Sequence, residues 1–390
     1  MSHTGHVLPP LYARWMDDLL AAPVPAETNA TCGDCAMVLP EHPHGGPESY
    51  RRDTKCCTFL PELWSFLVGG VLLDEPEPGS PADRGRRSVE ARLDAGLAVT
   101  PLGLGKTRVH ATLYGAGLAG TFGKARALRC PHYLEEDGGL CGVWRHREST
   151  CATWFCKHTR GATSKEFYKH LHQLLMGVER ALAAWCALEL DLDADALASL
   201  YEPYAAKMPR PLTGRDLDGE PDPAALRRAW GRWLGREREY YAECARRVAA
   251  LSWAEVAAIG GAQVDVFARL TRHAHARLLD GTVPEHLVAG LVQIMPSRRG
   301  RRRVVGYSGL DALDLPEVVP ELLHDFDGRP TAEVLEEIRR ARRVRLDPAL
   351  VRKLADFGVL VPAPAVALPG AADAPTALAA PDVAPTAPAR

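Results

Sequence analysis

The sequence predicts a mixed α+β protein in several parts, and three observations carry that prediction. Eight of the ten cysteines fall within the first 160 residues, in a stretch broken by Gly, Pro and charged side chains. Apolar residues then recur every three or four positions over most of 161–296, which is the period of a helix face. Short helical patterns with clear start and stop signals follow, framed by two strand-like runs. We therefore expect an irregular cysteine-rich domain over 1–160, a mainly helical domain over 161–296 and a small winged-helix-like module over 297–362. A disordered Ala/Pro-rich tail is expected over 363–390. A chain of 390 residues has room for two or three domains.

The first helix is expected in "PLYARWMDDLLAA" (10–22), where Leu11, Trp15, Leu19 and Leu20 share a face. From Thr31 to Gly161 short apolar pieces alternate with turn formers, so a loop-rich region is expected, with strand character at "TRVHATLY" (107–114). Beyond Gly161, Ser164 reads as the cap of a long helix that buries Phe167, Leu171, Leu174, Leu175, Val178, Leu182 and Trp185. Further helical blocks are read at 223–251, 253–279 and 284–295. Then "RVVGYSG" reads as a strand. Pro316 opens a short helix that ends at Asp327 and Gly328, Thr331 caps a second, and Asp347 with Pro348 starts a third that Gly358 stops. The run "VLVP" closes the module as a strand.

Charge and compartment decide how the cysteines are read. A net charge of -2 supplies no global field toward nucleic acid or an anionic membrane. The N-terminus lacks a basic segment followed by an apolar core and a cleavage site. No run approaches the roughly 18 apolar residues of a spanning helix, so a soluble, cytoplasmic protein is expected. In a reducing cytosol, clustered thiols point to metal ligation or redox chemistry before disulfides. Cys186 and Cys244 lie on helical patterns and are expected to be small core hydrophobes.

Cys32 and Cys35 form a CxxC, and Cys56 and Cys57 are adjacent. Cys130, Cys141, Cys151 and Cys156 follow, with His158 two residues further on. A CxxC turn sets two sulfurs on one side of a tight loop, which suits tetrahedral zinc or an iron–sulfur cluster, since both take soft thiolate ligands. Adjacent cysteines bridge each other only with strain. In extended chain they point opposite ways, so Cys56 and Cys57 are expected to serve two metals, or one metal and a neighbouring contact. Pro61 reads as the first residue of a helix whose N-terminus would favour ionised sulfur. His158 and His132 could each replace a thiolate. The candidate metal ligands are thus Cys32, Cys35, Cys56, Cys57, Cys130, Cys141, Cys151, Cys156 and His158. Arg145, His146 and Arg147 read as a basic surface loop, with hydrogen bonding to sulfur or to an anionic substrate as the alternative.

The order CxxC, CC, then "CPHYLEEDGGLCGVWRHRESTCATWFC" (130–156) resembles the YkgJ-type cysteine-cluster family, described as zinc- or iron-chelating. Cys130, Cys141, Trp144, Arg147 and Cys151 fall on the family's pattern, and the resemblance covers roughly residues 30–160. The chain departs from it in two places. The CxxC lies about twenty residues ahead of the CC instead of a few, and Glu148 stands where the family usually has Pro. The resemblance implies a metal site. A flagellin lysine methylase carries a similar cluster, so methyl transfer is one activity it permits without selecting.

Several other signals are set aside. "YGAGLAG" (114–120) matches G-x-G-x-x-G after a strand-like run, with Glu135 further on, but too few residues separate Gly120 from Cys130 for the βαβ helix. "GLGKT" (103–107) imitates a P-loop, yet Thr100 occupies the first glycine's place and a strand pattern follows where a helix is needed. His273 and His275, two apart on a helix, diverge by about 200° and are read as surface residues, and His170 and His172 fall under the same argument.

At the C-terminal end, "SRRGRRR" could touch phosphates. From Gly300 to Pro362, however, 11 Lys or Arg balance 11 Asp or Glu, so nucleic acid is not the expected partner. The stretch "LDLPEVVPELLHDFDGRPTAEVLEEI" (313–338), with "LDPALVRKLADFGVL" (346–360), resembles the PqqD-like family. The match rests on a DG-x-x-T turn at Asp327, Gly328 and Thr331 and a final GVL at 358–360. That resemblance implies recognition of a peptide by strand addition. The function expected is that of a metal-binding protein, with zinc or an iron–sulfur cluster, that modifies or carries electrons to a peptide or protein, as an oxidoreductase or a protein methyltransferase. The competing expectation is a non-enzymatic scaffold stabilised by zinc, with a peptide- or DNA-binding C-terminal module.

Overall fold

The computed structural model describes residues 8–28, 30–38, 50–200, 214 and 220–364. The tail read as disordered lies outside the described residues from 365 onward. Helices and small antiparallel sheets alternate, a mixed α+β architecture around two hydrophobic cores.

The first core runs from Leu8 to Leu278. Helix α1 (Pro10–Leu19) buries Tyr12, Trp15 and Met16 on the face its periodicity predicts. Strands β1 (Leu63–Trp64), β2 (Val99–Thr100) and β3 (Gly103–Leu104) make a small antiparallel sheet in the order β1-β3-β2. Between and after them lie α2 (Ser65–Leu73), α3 (Pro81–Ala95) and α4 (Arg108–Thr121). This region is more regular than expected. Pro61 does not open α2, because β1 intervenes.

Helix α4 corrects the strand expected at 107–114. Thr107 Oγ1 accepts from His110 N at 3.2 Å, a start signal that outweighs the β-branched residues after it. A helix therefore does follow "GLGKT", and the P-loop is excluded on other grounds. β2 and β3 pair antiparallel, whereas a P-loop leaves a parallel sheet. Lys106 also lies over the Phe59 ring at 4.7 Å. The G-x-G-x-x-G match sits inside α4 itself, where no strand-to-helix turn exists.

The long helix α6 (Gly161–Glu189) carries Phe167, Leu171, Leu174, Leu175, Val178 and Leu182 at zero exposure. Arg160, not Ser164, holds its N-cap position. Ser164 lies in the first turn, and its hydroxyl accepts from Arg160 N at 3.2 Å. After α7 (Ala194–Leu200), the block expected at 223–251 divides into α8 (Pro223–Trp230) and α9 (Glu237–Ala250), because Gly231 and Gly235 take positive φ between them. Helix α10 (Trp253–Leu279) covers the residues expected but is broken by a kink at Gly261, which takes φ 62° and ψ -155°; it opens with a capping box from Ser252 to Glu255. It packs along α6, while α2 packs along α9. The second contact requires glycine, since a Cβ on Gly69 would lie 1.8 Å from the Tyr241 carbonyl oxygen.

The second core runs from Leu287 to Leu360. The helix expected at 284–295 is instead β6 (His286–Ala289) and β7 (Gln293–Pro296). A short apolar run cannot distinguish the two periods by itself; its pairing partners decide. These are β8 (Arg301–Val305), β9 (Leu313–Pro316), β10 (Asp327–Pro330) and β11 (Leu360–Pro362), in two antiparallel sheets ordered β10-β6-β11 and β7-β8-β9. The helix expected from Pro316 shrinks to α11 (Val318–Glu321) and a 3₁₀ turn. Thr331 begins α12 (Thr331–Arg342) without capping it, and its hydroxyl donates to the Pro284 carbonyl at 2.9 Å. Asp347 caps α13 (Pro348–Asp356) as expected, accepting from Ala349 N at 2.6 Å. Arg160 joins the two cores, donating to both oxygens of Asp356 at 2.9 and 2.8 Å and to the Asp280 carbonyl at 2.8 Å. Among the described residues no helix is long and apolar enough to cross a membrane.

Candidate metal centre

Four chain segments bring the eight N-terminal thiols together. Cys32 and Cys35 lie on a tight loop closed by an Ala30–Cys35 bridge and by Asp34 N on the Thr31 carbonyl. Cys56 and Cys57 lie in a turn that Lys55 enters with φ 47°. Cys130 precedes a hairpin of β4 (Tyr133–Leu134) and β5 (Leu140–Cys141), which carries Cys141 opposite Tyr133. Cys151 lies on α5 (Ser149–Thr153), and Cys156 follows it. The Cys130 amide donates to the Cys57 carbonyl at 2.6 Å, tying the second segment to the third.

The turn corrects the expectation that Cys56 and Cys57 face apart. Chain reversal brings their sulfurs together, and the Cys57 thiol hydrogen-bonds Cys56. That bond holds Cys56 below the ordinary thiol range, helped by its own amide and the Lys55 ammonium, whereas Cys57 is pushed well above it. The two thiols of the pair are thus pushed in opposite directions.

Lys55 also assembles the site. Its buried ammonium donates to the carbonyls of Cys32, Gly138 (2.8 Å) and Gly139 (2.9 Å), linking the CxxC loop, the CC turn and the hairpin. Glycines set the remaining distance. A Cβ on Gly85 of α3 would meet the Gly142 carbonyl oxygen at 1.9 Å, so helix and hairpin touch backbone to backbone next to Cys141. Gly85→Ala is expected to displace that hairpin and to lower the metal content of the purified chain severalfold, measured by elemental analysis per folded monomer. An unchanged content in a folded variant would contradict this role.

Electrostatic influence maps the neighbourhood. Cys56 acts on Cys32, Cys35, Cys57, Cys130, Cys151 and Cys156, and Cys141 feels Cys32 and Cys130. Desolvation is the main cause that raises Cys32, Cys35, Cys130, Cys141, Cys151 and Cys156, taking Cys32 and Cys156 up to about 12 and Cys130 up to about 11, with repulsion from neighbouring thiols adding to it, whereas Cys57 is raised first by its bond to Cys56. Only Cys130 is buried from solvent, and Cys151 is exposed. Cys186 and Cys244, by contrast, are fully buried as expected of core residues, and they hydrogen-bond each other. Eight thiols therefore gather in one region that solvent reaches. Among the described residues no group of three or more His, Cys, Asp or Glu stands in position to hold a metal ion, so the sulfurs are neighbours without sharing a point.

Arg147 is buried at 4% exposure, which corrects its reading as part of a surface loop. Its guanidinium stacks 3.6 Å from the Trp144 ring and donates to the carbonyls of Cys151 (3.2 Å) and Trp144 (2.5 Å). Burial pulls it below the ordinary range, while Cys141, Cys32 and Cys151 pull it back. Arg145 stays exposed, and His146 Nε2 meets Asp74 at 2.8 Å. Glu148, at the place where the family pattern has Pro, caps α5 by accepting from Thr150 N (2.6 Å) and Cys151 N (2.9 Å).

The histidines separate from the expectation. His158 Nδ1 meets the Tyr307 hydroxyl at 3.3 Å, and its ring packs among Phe155, Tyr168 and Tyr307 at the junction with the second core. His132 is buried, with Nδ1 on Ser88 Oγ at 2.7 Å and Nε2 without a hydrogen-bond partner, and burial takes it down to about 3, a neutral imidazole. His275, read as a surface residue, is 2% exposed against Phe167.

Sequence reading overlooked Lys55, and it set Glu179 with Lys165 and Lys169 on the side of α6 opposite the apolar face, whereas Glu179 is buried at 1% exposure. A lysine immediately before two cysteines in an aperiodic stretch was the available signal for the first; nothing local marks the second. Comparison with known proteins finds no matching family, no matching curated protein and no matching solved structure.

Proposed function

We propose that the chain is a metal–thiolate protein in which sulfurs from the four segments hold zinc or an iron–sulfur cluster, and that this centre serves a peptide or protein substrate. The observation that carries the reading is the gathering of eight thiols in one solvent-reached region, beside two buried cations. Partly desolvated neighbouring thiols resist ionisation, and a bound soft cation reverses that cost by drawing off their protons. Soft thiolate donors suit such an ion, and ligation would require the sulfurs to move from their present places to a common point.

The chain's own residues divide the work. Cys57 lowers the neighbouring Cys56 thiol, Arg147 balances charge near Cys32, Cys141 and Cys151, and Lys55 fixes the CxxC loop. Bound zinc would supply Lewis acidity or structural closure, and an iron–sulfur cluster electron transfer. The C-terminal module, which we read as winged-helix-like, would take the peptide. Support comes from β7, which forms a sheet edge with every residue exposed, beside Leu291 at 99% exposure.

Anaerobic purification with elemental analysis and visible absorbance tests the proposal. At least one zinc or iron per chain is expected; iron–sulfur would be brown, zinc colourless and released by thiol modification. A folded chain that stays metal-free after exposure to zinc, and to iron with sulfide, would refute it.

A further inference from the structure

A second site lies where the cysteine region, α6 and the C-terminal module meet. It is a cavity of about 310 Å³, large enough for one or two amino-acid residues or a single aromatic metabolite. Its walls are mainly aromatic and aliphatic. Trp154 contributes a face that is 57% exposed, an unusual state for the largest apolar side chain unless something covers it. Tyr168 and Tyr307 supply two more rings.

Charge in the cavity has one sign. Lys165 and Lys169 stand one turn apart on α6, so both ammonium groups reach the same opening. Neither forms an ion pair among the described residues; Lys165 only approaches the Tyr307 ring, at 5.5 Å. Among the described residues no Asp or Glu lines the cavity. The two acids that act on its lining are already engaged: Glu27 accepts from the Thr159 amide, and Asp311 from the His158 amide at 3.0 Å and from the Tyr307 hydroxyl. His172, also in the lining, carries a buried Nδ1 without a hydrogen-bond partner. Two lysines without an ion pair and an unused imidazole nitrogen around an aromatic slot fit a carboxylate carried on a flat apolar body.

From this geometry we propose that the cavity binds an aromatic carboxylate, with the ring against Trp154 and the acid between Lys165 and Lys169. Cys156 forms part of the wall, so the ligand would lie beside the thiol neighbourhood. The proposal holds whether or not those thiols carry a metal, because none of its binding groups is a candidate ligand. The same chemistry could be a free metabolite or the C-terminal aromatic residue of a peptide.

Isothermal titration of the full chain with N-acetyl-phenylalanine tests the site, with N-acetyl-phenylalaninamide as the uncharged control and a pentapeptide ending in a free-acid phenylalanine as the second arm. One-to-one binding of an acid probe is expected. Lys165→Ala with Lys169→Ala should weaken it at least tenfold, and Trp154→Ala similarly, whereas Arg228→Ala, exposed on α8 and outside the lining, should not. All three positions are solvent-facing, and circular dichroism with unchanged metal content checks that each variant is folded. Tighter binding of the pentapeptide than of the small acid assigns the ligand to a chain terminus, and the reverse order to a metabolite. Failure of both acids to bind, equal binding of the amide, or indifference to the lysine pair would each overturn the proposal.

Discussion

Cys56→Ser is expected to remove most of the bound metal and to destabilise the N-terminal core more than the same change at any other N-terminal cysteine. The reason is its position at the hub: six of the other seven thiols lie within its electrostatic reach. It is also the sulfur held below the ordinary thiol range, by the Cys57 thiol, its own amide and Lys55. A serine hydroxyl keeps the size and loses the soft, ionisable donor. Metal binding that organises irregular segments contributes on the order of 10 kcal/mol in small zinc domains, so its loss should lower the thermal midpoint and expose the 30–38 and 50–60 segments to protease. Cys244→Ser provides the contrast. It lies in the helical core, and its metal content should match the wild type. Equal metal content in Cys56→Ser and wild type would exclude Cys56 from the centre.

Glu179→Ala should unfold or severely weaken the protein without touching any sulfur. This carboxylate on α6 is fully enclosed and receives four donors: Tyr12 Oη, Trp64 Nε1 (3.1 Å), and the amide (2.7 Å) and hydroxyl (2.6 Å) of Ser149. It therefore joins α1, β1, and the start of the helix that bears Cys151. Deleting it strands several buried polar groups, at about 3 kcal/mol or more in total. Burial first, and Glu148 second, push Glu179 from its ordinary 4.5 up to about 8. The folded chain then keeps a proton that the unfolded chain releases. That advantage is complete below about pH 4.5 and is lost as the pH rises through 8. Each pH unit within the window should cost wild type up to about 1.4 kcal/mol relative to Glu179→Gln, which cannot titrate. Urea midpoints of the two proteins at pH 6 and pH 8.5 measure the difference. Parallel midpoints would show that the carboxyl is ionised throughout.

The parts of the fold that sequence reading captured are those specified locally. The helix at 253–279 and the cap at Asp347 rest on side chains within a few residues of the backbone they satisfy, and the periodic face of 167–182 announces its own burial. The misread elements depend on distant partners. "HLVAGLVQIM" carries both helical and strand periods, and it becomes strand because β8, β10 and β11 offer ladders to it. "TRVHATLY" looked extended by its β-branched residues, and the cap at Thr107 overruled them.

The candidate site divides in the same way. Which residues carry sulfur, and in what order, is written in the chain. That Cys56 and Cys57 turn toward each other, that Arg147 is buried beside three thiols, and that His158 faces Tyr307 all depend on segments more than a hundred residues apart in some cases. Donor chemistry is a property of each residue alone and survives in any list of letters. Burial, charge balance and the direction of a side chain are properties of what surrounds it, and only folding brings those surroundings together.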